Sequence, residues 1–187
     1  MPTLIYSMSV SVDGHIAGPD GAIDWAAPDE ELMRFHIEQT RELSAHLTGR
    51  GLYEDMLGWE TPEQTRTEPR ELEFARIWTA IPKVVFSTSL TTVAGKARLA
   101  RGDVADEVTE LKNQPGVRLV SVGGARLAAC FAEKDLIDEY RLFVNPVVLG
   151  GGTPYFSPLP KRQDLELIET RTFSQVVYLR YRRKVTP

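Results

Sequence analysis

Val117-Arg-Leu-Val-Ser-Val-Gly-Gly-Ala-Arg-Leu127 reads as a strand, a glycine pair and the start of a helix. Val117, Leu119, Val120 and Val122 make a short apolar run between Pro115-Gly116 and Gly123-Gly124. A run of that length, β-branched and closed by turn residues at both ends, is the pattern of a buried strand. Leu127, Ala128 and Phe131 then recur at helical spacing. Glycines at such a junction let a ligand approach the backbone, and a helix N-terminus offers free N–H groups to an anion, so the stretch suits a phosphate or pyrophosphate. The same residues also make a plain tight turn, and the complete G-x-G-x-x-G fingerprint is absent.

Outward from this stretch, strands and helices alternate. Residues 3–12 form a first strand in which Leu4, Tyr6, Met8 and Val10 alternate with Ile5, Ser7, Ser9 and Ser11. It runs into Asp13-Gly14 and a Gly/Pro-rich loop at 16–21, which reads either as a lid over a site or as a plain surface loop. Residues 28–43 are helical, with Pro28, Asp29, Glu30 and Glu31 in the first turn and a face of Leu32, Met33, His36, Ile37 and Thr40. Glu30 is there either as a substrate-binding carboxylate or as an exposed acid favoured by the helix dipole. Residues 45–48 form a short strand closed by Gly49-Arg50-Gly51, with a helical piece at 52–57. The forked guanidinium of Arg50 suits phosphate, although lone arginines in such turns are commonly just solvated.

Residues 58–69 read as a polar loop, and Pro69 opens a helix carrying Phe74, Ile77, Trp78 and Ile81 on one side. The strand 83–88 ends in Ser87 and Thr88, hydroxyls that bind a ribose or its phosphate, or else cap a turn. Asp103 caps a short helix with Val104, Val108 and Leu111 on one face. Residues 138–144 form a strand, and the chain then passes Asn145-Pro146 to reach Leu149 and the run Gly150-Gly-Gly152. Residues 165–172 and 175–185 read as a terminal antiparallel pair whose Arg180, Arg182, Arg183 and Lys184 are expected to be a solvated strand end.

This order predicts a single α/β domain over residues 1–187, with a largely parallel sheet and an antiparallel C-terminal edge. Ligands of such sheets bind at the carboxyl ends of the strands. The segments 11–18, 49–50, 87–88 and 123–124 all follow strands. The chain has 187 residues, 42% of them hydrophobic and 26% charged, with a net charge of −4. That balance gives no electrostatic footprint for nucleic acid or an anionic membrane. No apolar run approaches membrane-spanning length and no basic leader opens the chain, so the expected compartment is the cytoplasm. The single cysteine, Cys130, excludes an intrachain disulfide and is expected to be a buried structural thiol. His15, His36 and His46 lack metal-ligand spacing, so no metal is expected.

Taken together, these segments resemble the dihydrofolate-reductase-like superfamily, and within it the C-terminal reductase domain of bacterial riboflavin biosynthesis and its stand-alone relatives. The resemblance rests on Ser9-Val-Ser-Val-Asp-Gly-His-Ile-Ala17, Gly49-Arg50, Val84-Val-Phe-Ser-Thr88 and Val122-Gly-Gly-Ala-Arg-Leu127. Its most specific part is Leu136 through Asn145-Pro-Val-Val-Leu-Gly-Gly-Gly152, ending at Phe156. It implies a three-layer α/β/α fold and NADPH as hydride donor to a pyrimidine- or pterin-like heterocycle, as in 5-amino-6-(5-phosphoribosylamino)uracil reductase. By position it implies that Gly123, Gly124, Ala125 and Arg126 hold the pyrophosphate. Gly49, Arg50, Ser87 and Thr88 would face the adenosine ribose and its 2′-phosphate, and Ile16 and Ala17 the nicotinamide. Asp13, Trp25 and Glu30 would lie by the substrate, with Asp13 and Glu30 as catalytic candidates and Leu149, Gly150 and Gly151 closing the other side. It also implies a homodimer, for which the C-terminal strands offer an edge.

Two positions depart from the family pattern. Leu52 stands where the dinucleotide turn usually has threonine, and Val122 stands where riboflavin reductases often have an acid. The accompanying zinc deaminase pattern H-x-E…P-C-x-x-C is absent. These departures keep open an alternative, a non-catalytic NADPH-binding protein of the same fold, alongside a dihydrofolate- or pterin-type reductase.

Overall fold

The computed structural model describes residues 2–61 and 67–184. Eight strands form one sheet: β1 (Thr3–Ser11), β3 (Ala45–Gly49), β4 (Lys83–Phe86), β5 (Ala97–Leu99), β6 (Leu119–Gly123), β7 (Glu139–Asn145), β9 (Leu165–Phe173) and β10 (Val176–Arg183). Their spatial order is β5-β4-β3-β6-β1-β7-β10-β9. The first six are mutually parallel, and β10 and β9 add on antiparallel. β2 (His15–Ala17) and β8 (Thr153–Pro154) make a small separate antiparallel pair. The helices are α1 (Glu30–Arg41), α2 (Arg50–Asp55), α3 (Pro69–Ala80), α4 (Val104–Asn113) and α5 (Ala125–Glu133). Among the described residues no helix is long and apolar enough to cross a membrane.

The two faces of the sheet differ, and that difference creates the site. On one face, Leu4, Tyr6 and Val10 of β1, Leu47 of β3, and Val120 and Val122 of β6 pack against Val108 and Leu111 of α4 and Phe131 of α5 in a continuous apolar core. Phe131 is fully buried and meets Phe86 edge-on, with ring centroids 5.9 Å apart. The helices on this face are well specified: Asp103 and Asp106 form a reciprocal capping box at the start of α4, and α5 buries Leu127, Ala128, Phe131 and Ala132. On the opposite face the same strands present Ser7, Ser9, His46 and Ser121, and α1 and α3 stand over them. A polar row on central strands cannot join an apolar core without unpaired groups, so helices and sheet part along it. A smaller aromatic cluster of Phe35, Phe143, Phe173 and Tyr178 anchors α1 to the antiparallel end.

Several expectations change. Cys130 is exposed, because it falls outside the row of α5 residues that faces the core. The basic cluster at 180–184 is not simply solvated. Arg180 grips Glu139 with two bonds of 2.9 Å, and Arg183 donates to the carbonyls of Ile137 and Asp135. The long helix of the N-terminal third begins at Glu30 rather than Pro28, with Asp29 as its cap accepting from the Leu32 amide. Its core-facing residues include Phe35, while Met33, His36 and Thr40 face the gap over the sheet. The helical piece expected at 52–57 is α2, which starts two residues earlier, and Val117 lies ahead of β6. Within the expected polar loop 58–69, residues 62–66 lie outside the described residues, as does Val185 of the last strand.

Candidate active site at the strand ends

The parallel register sets three turns side by side. Thr48 pairs with Gly123 and Gly49 with Phe86, so the turns after β3, β4 and β6 share one edge of the sheet. Arg50 links two of them, donating from Nη1 to Ser89 Oγ at 3.1 Å. Ser87 Oγ accepts from the amides of Ser89 and Leu90, which shapes its turn, while Thr88 is exposed. Gly124 stands at φ +91 as the N-cap of α5 and provides no side chain to cap it. No side chain caps the first-turn amides of α5, which begins with buried Ala125 and exposed Arg126; an uncapped helix start is what an anion site requires. Leu52 closes over the turn: a Cβ at Gly123 would lie 2.3 Å from Leu52 Cδ2 and 2.9 Å from His46 Cε1.

The ends of β1 and β7 form a second group. Asp13 accepts from the amides of Leu149 at 3.1 Å and Gly150 at 2.8 Å, and His15 Nδ1 stands 3.4 Å from its carboxylate. Its hydrogen bond with Ser11 and those backbone amides hold the carboxyl well below the usual carboxylate range. β2 carries buried Ile16 and half-buried Ala17, and it is fastened to β8. Gly152, at φ +117, presses so closely on this strand that a Cβ would lie 2.1 Å from the Ala17 carbonyl oxygen. Gly151 faces Pro19. The Gly/Pro-rich loop thus interlocks with the triple-glycine run. Trp25 sits on a one-turn helix, its Nε1 donating to the Ala22 carbonyl, and it does not line the cleft described next.

Between α1, α3 and the polar sheet face lies a cleft of about 1160 Å³. Met33, Leu52, Met56, Trp59, Phe74 and Trp78 wall it. Its floor holds Ser7, Ser9, Ser121 and His46. His46 Nδ1 lies 2.5 Å from Ser121 Oγ, its ring meets Trp78 edge-on at 4.9 Å, and Nε2 has no partner. Burial, followed by the nearby Lys83 ammonium, pushes His46 down to about 3, so the imidazole is neutral. Burial likewise pushes His36 down to about 4. Glu30 is at the cleft mouth, exposed and ion-paired with Arg70 and Arg34. The two carboxylates singled out from the sequence, Asp13 and Glu30, have separate partners.

The structure brings Gly49, Arg50, Ser87 and residues 123–126 to one edge. It brings Asp13 and residues 149–150 to the neighbouring strand ends. The sequence reading does not assign His46, Ser121 or Trp78 to the site. The available signal was the serine row of β1: a strand destined for the middle of a sheet, with serines on one side, must face a cavity or a partner.

Fold and strand-end turns together define a dihydrofolate-reductase-like α/β domain. The chain belongs to the RibD C-terminal domain family, whose model matches residues 2–179. Two Bacillus subtilis (strain 168) proteins, both uncharacterized, are similar throughout. YyaP is 33% identical over 94% of this chain and 93% of its own length, and YwjB is 31% identical over 97% of each. Among solved structures, a Shewanella sp. PV-4 protein provisionally named for riboflavin biosynthesis superposes with a TM-score of 0.78 at 23% identity, covering 99% of this chain and 100% of that one. RibD of Acinetobacter baumannii gives 0.70 at 18% identity over 98% of this chain, which spans 58% of the RibD chain. The Thermotoga maritima diaminohydroxyphosphoribosylaminopyrimidine deaminase/5-amino-6-(5-phosphoribosylamino)uracil reductase gives 0.69 at 16% identity, over 98% of this chain and 57% of that one.

Proposed function

We propose that this protein is an NADPH-dependent reductase of a pyrimidine- or pterin-like heterocycle. The observation that carries the reading is the shared edge formed by Gly49–Arg50, Ser87–Ser89 and Gly123–Arg126, with Gly123 and Leu52 also lining the cleft. The residues fit such a dinucleotide. The uncapped amides at the start of α5 suit a pyrophosphate, and Arg50, held by Ser89, suits the 2′-phosphate. When bound, NADPH supplies a hydride to the carbon of an unsaturated carbon–nitrogen bond, and a proton completes the reduction at nitrogen. The protein's share is positioning and exclusion of water. Trp78, Phe74 and Met33 offer flat apolar walls, and the Asp13 clamp fixes the 149–150 segment against the first loop. Asp13 is held ionised on the 149–150 amides and Glu30 is ion-paired at the cleft mouth, so both serve here as positioning groups.

The test is a thermal titration with NADPH and NADH separately. A ligand at 100 times its dissociation constant adds about 2.7 kcal/mol to stability. In a chain of this size that corresponds to roughly 5–10 °C. A larger shift with NADPH than with NADH is expected, and no shift with either rejects the reading. Binding without consumption of NADPH in the presence of any heterocycle would instead support the non-catalytic alternative, which the apolar Leu52 over the glycine turn favours.

A further inference from the structure

The His46 imidazole has one nitrogen paired and one without a partner. The residue lies on β3 in the floor of the cleft and is 6% exposed. Nδ1 meets Ser121 Oγ at 2.5 Å, while Nε2 is closed off from solvent and has no partner among the described residues. The Ser121 hydroxyl decides which nitrogen carries the proton. Among the described residues its hydrogen bond is the one to Nδ1, so its own proton is satisfied when the serine donates there. The neutral ring then holds its proton on Nε2, and the unpaired group is an N–H donor. This donor stands beside the glycine turn: a Cβ at Gly123 would lie 3.0 Å from Nε2 and closer still to Leu52 Cδ2. The half-buried Leu52 side chain therefore shares the niche that the glycine leaves, and a methyl group accepts no hydrogen bond. A buried donor facing apolar atoms is costly, and the cost is removed when a ligand brings an acceptor.

We infer that His46 is a substrate-binding residue: it donates from Nε2 to a carbonyl oxygen of the heterocycle that enters the cleft, Ser121 fixes the tautomer that permits this, and Leu52 turns aside to let the oxygen in. This rests on the reductase reading above and deepens it. Pyrimidinones and pterins both carry a ring carbonyl, so the donor suits either substrate class and places the oxygen-bearing edge of the ring beside the β3–β6 pair. The nicotinamide carboxamide carries a carbonyl as well, and the arms of the test separate the two.

The test is nitrogen NMR of the unaltered protein carrying 15N-labelled histidine, with the His46 signals assigned by elimination against His15 and His36. Before any addition the proton is expected on Nε2 with Nδ1 bare, and the reverse tautomer overturns the inference. NADP+ is then added to saturation, which permits ring binding without turnover, followed by 6-methyl-7,8-dihydropterin or 5-amino-6-ribosylaminouracil. At least one ring should bind and shift the Nε2–H signal further. A response already complete with NADP+ alone gives the contact to the carboxamide and overturns the assignment to the heterocycle. Titration calorimetry adds a second readout. His46→Phe keeps the shape of the ring and removes its donor, so the heterocycle should bind about three- to tenfold more weakly while NADP+ changes by less than about twofold. Equal losses for both ligands would mark a structural role, and the NMR arm stands if the variant fails to fold. If NADP+ binds and neither ring does, the inference fails and the reductase reading stands. If no dinucleotide binds, the reductase reading fails, and a ring that still shifts Nε2–H upholds His46 as a binding residue.

Discussion

His46 Nδ1 and Ser121 Oγ, 75 residues apart in the chain, lie 2.5 Å from each other in register on β3 and β6 beneath the cleft. The ring is buried and neutral, pushed down to about 3 by desolvation and by Lys83. In the unfolded chain the same group titrates near 6.5, so the unfolded state binds more protons across the interval between. Stability from His46 is therefore complete above about pH 6.5 and is lost as pH falls toward 3, at about 1.4 kcal/mol per pH unit. His36, pushed down to about 4, adds a slope of the same sign. Urea unfolding at pH 7, 6 and 5 should show stability falling with pH, and His46→Gln should remove about half of that slope below pH 6. A slope unchanged by the substitution would mean the imidazole is not held neutral.

Glu139 is the buried hub of the β7–β10 junction. It accepts two bonds of 2.9 Å from Arg180 and one of 3.1 Å from Arg141. Burial alone would raise its pKa, but the two guanidinium partners outweigh burial and hold the carboxyl below its ordinary value. Glu139→Gln leaves the Arg141 guanidinium, whose side chain is 4% exposed, without its counter-charge. A loss of about 3 kcal/mol or more is expected from stranding a buried charge. The Glu139→Gln/Arg141→Met double variant should recover part of it. Urea midpoints at unchanged m-value measure both. A cost below about 1 kcal/mol for the single variant would show that the network contributes little.

The parallel core of the fold is legible because each long strand and amphipathic helix announces itself locally: the alternation in residues 3–12, Asp103 before Val104, Pro69 before its apolar row. The strands β2, β5 and β8 are not legible. They have two or three residues each, too few for any period, and exist because a neighbour offers backbone to pair with. Cys130 misleads because it sits among apolar residues in sequence yet off their face in the helix. The glycine turns stand out because glycine at a strand–helix junction has a steric meaning. The His46–Ser121 pair has no local signature, since only the order β3-β6 joins the two.

Gly152 and Gly150 separate close packing from backbone conformation. Gly152→Ala places a methyl 2.1 Å from the Ala17 carbonyl oxygen and 2.7 Å from Gly18 C, backbone atoms that cannot turn aside. A loss of at least ~2 kcal/mol is expected, together with opening of the loop. Gly150→Ala, at φ +74 with nothing within 4 Å, should cost about 1 kcal/mol from conformation alone. Hydrogen exchange reports the loop directly. The amides of Leu149 and Gly150, protected by Asp13, should exchange faster in Gly152→Ala and in Asp13→Ala but much less so in Gly150→Ala. Equal stabilities for the two alanine variants would refute the interlock between the first loop and the glycine run.

Arg50 and Leu52 bracket the glycine turn with opposite chemistry. The Arg50 guanidinium is exposed apart from its bond to Ser89 and a 3.9 Å approach to Glu54, so it is available to a phosphate. A charge-assisted hydrogen bond is worth about 1.5–3 kcal/mol, roughly ten- to a hundredfold in affinity. Arg50→Gln should therefore weaken NADPH by about that factor while changing NADH several-fold less, since only the former has the 2′-phosphate. Leu52 lays methyl groups over Gly123 where a hydroxyl would serve an anion better. Leu52→Thr should tighten NADPH several-fold. It should also loosen the packing above His46, costing about 1 kcal/mol of stability or somewhat more through the lost apolar volume. The opposed signs, tighter cofactor but weaker fold, distinguish a residue at the cofactor turn from one that only fills space. If Leu52→Thr lowers stability and cofactor affinity together, the turn after β6 is not where the dinucleotide binds.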